Sequence, residues 1–112
     1  MYFELNHIIN QAENLRQIKK ADLRPGDELH LKTRNSVYHI VVDHDGSYLV
    51  SGGWFDKSAD SPVKININGC TWGGSVIKTD IVAARGLFLE FGNRVVTSSI
   101  ENIFYLPLRI KN

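Results

Sequence analysis

PGDELHLKTRNSVYHIVVDHDGSYLVSGG, residues 25–53, decides the fold, because short runs of alternating apolar and polar residues follow one another there with turn-forming residues at each junction. Leu29 and Leu31 alternate with Glu28, His30 and Lys32. Tyr38, Ile40 and Val42 alternate with His39 and Val41, and Tyr48, Leu49 and Val50 follow Asp45-Gly46. A strand sends successive side chains to opposite faces, so the stretch reads as an antiparallel meander. If Arg34 and Asn35 form a two-residue loop, Leu31 faces Tyr38, Leu29 faces Ile40 and His30 falls opposite His39 on the other face; a register two residues longer separates the histidines. Asp45-Gly46 as a two-residue turn sets Val42 against Leu49 and Val41 against Val50, which makes the second strand apolar on both faces and central.

Upstream, residues 4–20 carry Leu5, Ile8, Ile9, Ala12, Leu15 and Ile18 at spacings of three and four, the pattern of an amphipathic helix. At ~25 cal/mol per Å² of apolar area the stripe must be covered, either by its own chain or by a second copy. The expected interface of a homodimer is therefore Leu5, Ile8, Ile9, Ala12 and Leu15. Pro25-Gly26 then turns the chain, proline presetting φ and glycine supplying a positive φ.

Downstream, residues 52–62 read as a surface loop, residues 63–67 as a half-buried strand and residues 76–82 as another. Leu87, Leu89 and Phe91 lead to a two-residue Gly92-Asn93 turn and a return through Arg94, Val95, Val96 and Thr97. Ser98 or Ser99 can cap one helical turn at Ile100, Glu101 and Asn102 before a closing strand. The expected core is Leu29, Leu31, Ile40, Val42, Ile65, Ile67, Leu89 and Val96.

These elements make the expected fold mainly β: a small, bent antiparallel barrel or β-roll spanning residues 27–106, with one N-terminal amphipathic helix, in a single domain of 112 residues. The stretches ADLRPGDELHL, LFLEFGNRVVTS and SIENIFYL resemble the opening and closing of SH3-like barrels, from Asp22 to Leu106. That resemblance implies a one-turn helix before the last strand.

Composition narrows the function. Thirteen basic and twelve acidic side chains leave a formal charge of +1, so no global field draws the protein to a polyanion. The single cysteine, Cys70, cannot form an internal disulfide, and no apolar run approaches the ~20 residues of a membrane span. A cytoplasmic location without membrane contact is expected, since residues 1–10 lack the basic start and apolar centre of a signal peptide.

Chemistry-bearing residues are sparse. His30, His39 and His44 with Asp43 or Asp45 are the only plausible metal or acid–base group, but Asp43-His44-Asp45 has turn roles of its own. The expectation is strand histidines with no bound metal and no cofactor. Cys70 reads as a small buried side chain rather than a nucleophile, and Ser75 lacks the strand–turn–helix setting of a nucleophile elbow. Trp54, Phe55 and Trp72 adjoin glycines in connections, where aromatics either plug the ends of a barrel or offer a stacking platform. With Arg94 they form the candidate binding set.

No catalytic constellation is present, so the leading reading is a noncatalytic binding or assembly module that self-associates. The alternatives are single-stranded nucleic-acid binding through Trp54, Phe55 and Trp72 with Arg34, Lys57 and Arg94, and a metal-dependent enzyme or ligand-binding protein using His30 and His39.

Overall fold

In the computed structural model the meander is a ladder of β3 (Glu28–Thr33), β4 (Val37–Val42) and β5 (Tyr48–Gly52), and it occupies the middle of a six-stranded antiparallel sheet. The structure describes residues 13–57, 61–73 and 76–108. Its other strands are β1 (Glu13–Leu15), β2 (Gln17–Lys19), β6 (Val63–Ile65), β7 (Ile67–Gly73), β8 (Val76–Lys78), β9 (Ile81–Ala84), β10 (Phe88–Phe91) and β11 (Ile100–Leu106). The six-stranded sheet runs β1-β11-β3-β4-β5-β6, a second sheet runs β10-β7-β8, and β2 pairs with β9. The architecture is mainly β and antiparallel, in three sheets; among the described residues no ladder closes them into a barrel.

The loop at Arg34-Asn35 has two residues, and His30 stands opposite His39. Neither Arg34 nor Asn35 adopts a positive φ. The Ser36 amide donates instead to the Thr33 hydroxyl at 3.0 Å, while the Thr33 amide donates to the Ser36 carbonyl at 2.8 Å. Threonine thus replaces the backbone acceptor that a glycine-containing turn would present.

Both glycine-marked hairpins depart from expectation by one residue, for one reason. Asp43 pairs with Ser47 around a three-residue loop in which Gly46 holds φ +84°, so Val42 faces Tyr48 and Ile40 faces Val50. Phe91 pairs with Val95 around Gly92, Asn93 and Arg94, with Arg94 at φ +70°. Each is a turn followed by a left-handed residue, the usual three-residue hairpin loop. A one-residue slip exchanges the faces. Val96, expected in the core, is therefore exposed beside Glu90, and Thr97 is buried instead, its amide donating to the Leu89 carbonyl and its hydroxyl accepting from the Leu89 amide. A side chain at the left-handed position is strained, so Arg94→Gly is expected to raise the unfolding free energy by about 0.5–1 kcal/mol after the entropic cost of glycine. The urea midpoint checks this.

Where the structure describes it, the stretch read as a helix is extended. β1 joins the edge of the large sheet beside β11, β2 pairs with β9, and a one-turn 3₁₀ helix at Lys20–Asp22 follows. Arg85 holds the bend between them: its amide donates to the Arg16 carbonyl at 2.9 Å and its Nε to the Leu15 carbonyl at 3.0 Å. Leu15 and Ile18 thereby reach their own chain's core from two different sheets, which a spacing of three allows as readily as a helix does. Leu5, Ile8, Ile9 and Ala12 lie outside the described residues.

Three further expectations change. Residues 76–82 form two strands separated by a turn at Thr79 and Asp80. Ile100, Glu101 and Asn102 are strand rather than a helical turn, because β11 continues its pairing with β3 across a register shift. Ile65 is half-buried on the edge strand β6, packed against the core rather than inside it. Leu29, Leu31, Ile40, Val42, Ile67 and Leu89 are buried in one cluster, as expected. The Arg24-Pro25-Gly26-Asp27 corner closes with the Asp27 amide donating to the Arg24 carbonyl at 3.0 Å, and Gly26 holds φ +90°. Buried Asp27 also accepts from the Tyr105 hydroxyl at 3.1 Å and the Leu108 amide at 2.9 Å, tying the corner to the end of β11.

Candidate functional site

Alternation along β3 places Leu29 and Leu31 inward and Glu28 and His30 together on the outer face of the large sheet, and the β3–β4 register adds His39 beside them. His39 Nε2 lies 2.5 Å from Glu28 Oε1 and His30 Nε2 lies 3.9 Å from the same oxygen. The two imidazoles stack, with centroids 4.3 Å apart and planes 17° from parallel. One donor atom from each of the three residues falls within 4.8 Å of the other two. β3 and β4 are both paired on either side, so the three side chains stand on interior strands of a sheet rather than on loops.

His30 is unusual within this group. It is 8% exposed although it points to the outer face, and among the described residues its Nε2 has no hydrogen-bond partner. An unsatisfied buried donor or acceptor costs ~1–3 kcal/mol. Burial is the main cause that lowers its pKa from the ordinary 6.5 to about 4, with His39 adding to the effect and Glu28 opposing it. The ring is therefore neutral at pH 7. Glu28 was absent from the set expected to join His30 and His39. Its spacing of two from His30, which puts both on one strand face, is the signal that could have found it. His44, by contrast, sits in the exposed β4–β5 loop, and there Lys64 bridges Asp45 at 2.6 Å and Asp43 at 3.5 Å; Lys64 and Ser47 hold the Asp45 carboxyl below its usual range.

A separate cleft of about 570 Å³ opens near the other end of β5, lined by Lys20, Tyr48, Asn66, Asn68, Thr79 and Glu90 over Ile67 and Ile77. Neither histidine of the outer face lines it. Asn68 donates to Glu90 Oε2 at 2.8 Å and to the Phe91 carbonyl at 3.1 Å, so the one carboxylate among the described residues of the lining is already engaged.

The loop aromatics divide. Phe55, in the 3₁₀ turn Gly53–Lys57, is fully buried, edge-on to Tyr38 and Phe91, and plugs the space between the sheets; it cannot serve as a surface platform. Trp54 and Trp72 are 48% and 54% exposed and lie on different elements, the 3₁₀ turn and β7. Arg94 is at the β10 hairpin loop. Cys70 is buried, donates to the Val82 carbonyl at 3.3 Å, and has its thiol pushed up to about 11 by desolvation, so it is no nucleophile at neutral pH. Among the described residues no helix is long and apolar enough to cross a membrane. No protein-family model matches the chain, and no curated protein or solved structure matches it.

Proposed function

We propose that this chain is a noncatalytic binding module that takes a small polar molecule in the cleft between β5, β7 and β8. The observation that carries the reading is the cleft itself, whose volume of about 570 Å³ lies in the range of small-molecule sites, ~300–1,000 Å³. Its lining supplies recognition rather than chemistry. The amides of Asn66 and Asn68, the Thr79 hydroxyl and the Lys20 ammonium surround an isoleucine floor, and among the described residues of the lining Glu90 is the one carboxylate, held by Asn68. Hydroxyl- or carboxylate-bearing ligands suit those groups. In a screen of sugars, nucleosides and small carboxylates followed by amide NMR shifts, binders are expected to move Asn66, Asn68, Ile77 and Thr79, and Asn66→Leu is expected to weaken them. Binders that move only other residues, or none at millimolar concentration, would remove the cleft as the site.

Self-association is the second reading, now favoured by a different surface. Leu15 packs on its own core, whereas Trp72 and Val76, 54% and 59% exposed, lie together where β7 meets the edge strand β8. An exposed apolar edge invites a second copy. Sedimentation equilibrium with Trp72→Ser as the comparison tests it: a parent dimer that becomes a monomer supports this edge, and a parent monomer rejects it.

A further inference from the structure

We propose that Glu28, His30 and His39 form a site for one Zn²⁺ ion on the outer face of the large sheet. Two imidazole nitrogens and a carboxylate oxygen are the donor set of a borderline transition-metal ion; Mg²⁺ and Ca²⁺ prefer oxygen alone. Donors sharing a tetrahedral zinc at ~2.0–2.1 Å stand about 3.3 Å apart. Here the distances from Glu28 Oε1 are 2.5 Å to His39 Nε2 and 3.9 Å to His30 Nε2, on either side of that value. Shifts of about an ångström on a fixed backbone, together with side-chain rotations that splay the stacked rings so that both Nε2 lone pairs converge on one point, bring these donors to coordination distance.

The independent observation is His30 Nε2, a buried nitrogen aimed at this group with no hydrogen-bond partner among the described residues. A cation at the common point supplies the partner. Coordination requires both Nε2 atoms unprotonated, so any proton that His39 shares with Glu28 leaves to solvent when the metal enters, and the remaining ring hydrogens sit on Nδ1. The burial is uneven: the Glu28 and His30 side chains are 15% and 11% exposed, whereas that of His39 is 37% exposed. Three protein donors with one side toward water leave a position for a solvent molecule, the arrangement of an open rather than a closed structural zinc site. The site shares no residue with the lining of the cleft, so it stands whether or not the cleft binds a ligand.

The test uses the full chain without a histidine tag, stripped with chelator and titrated with zinc chloride by calorimetry, with Co²⁺ as a spectroscopic probe of coordination. One equivalent is expected to bind, with cobalt bands of a four-coordinate nitrogen and oxygen site and a zinc-dependent rise in Tm. Removal of second-sphere groups already weakens metals by ~10–100-fold, so Glu28→Gln and His39→Ala are each expected to lose at least ~100-fold. His44→Ala, in the exposed hairpin loop, is expected to bind as the parent does. His39 is partly exposed, so its variant is expected to keep the parent's circular dichroism spectrum. Absence of a saturating one-to-one site, retention of affinity in both Glu28→Gln and His39→Ala, or loss in His44→Ala would each overturn the assignment.

Discussion

Phe91→Ala is expected to destabilise the fold by about 3–5 kcal/mol, the range for removing a fully buried aromatic ring. Phe91 has no solvent exposure and is the ring at which the sheets meet. Phe55 stands edge-on to it with centroids 4.8 Å apart, and Tyr38 packs at 5.8 Å with the planes tilted by 45°. Tyr38 comes from the large sheet, Phe91 from the β10-β7-β8 sheet, and Phe55 from the 3₁₀ turn between β5 and β6, so one deletion loosens three elements. Urea unfolding at pH 7 measures the loss. A cost below ~1 kcal/mol would mean that the sheets are not held together at this ring.

Acidification from pH 7 to pH 4 is expected to remove about 3 kcal/mol through His30 alone, about 2 kcal/mol of it by pH 5. The sign follows from proton counts. The unfolded chain's imidazole takes a proton near the ordinary 6.5, whereas in the folded state His30 resists until about 4, chiefly because burial disfavours the cation. Between those values the unfolded state binds more protons, so this contribution is complete above pH 6.5, falls through the window and is flat below it. Among the described residues, Glu28 on the same strand and His39 on β4 are the titratable groups facing the ring; on β11 the register partner is Phe104, which carries no charge. In chelator, the stability of the parent is expected to fall more steeply between pH 6.5 and 5 than that of His30→Phe, which cannot take the proton. Parallel curves for the two proteins would show that His30 titrates as it does in water.

What residues 25–53 determined by themselves is the order of elements: three antiparallel strands, the inward set Leu29, Leu31, Ile40 and Val42, and the pairing of His30 with His39 when the loop at Arg34-Asn35 has two residues. Local alternation suffices there, because period two and a short loop leave few registers that keep one face apolar. The tertiary structure decided the rest. Glycine marks a turn without stating how many residues close it, so Tyr48 rather than Leu49 faces Val42, and Val96 is exposed while Thr97 is buried. Spacings of three and four over residues 4–20 read as a helix, but over residues 13–20 β11 and β9 offered backbone partners, and pairing with them buried Ile18 and packed half-buried Leu15 against the same core from two sheets. The candidate metal site shows the same division. Its histidines were legible from one hairpin register, whereas the burial that isolates the His30 nitrogen, and the approach of Glu28 to both rings, depend on side chains turned by packing across the sheet, which no local pattern encodes.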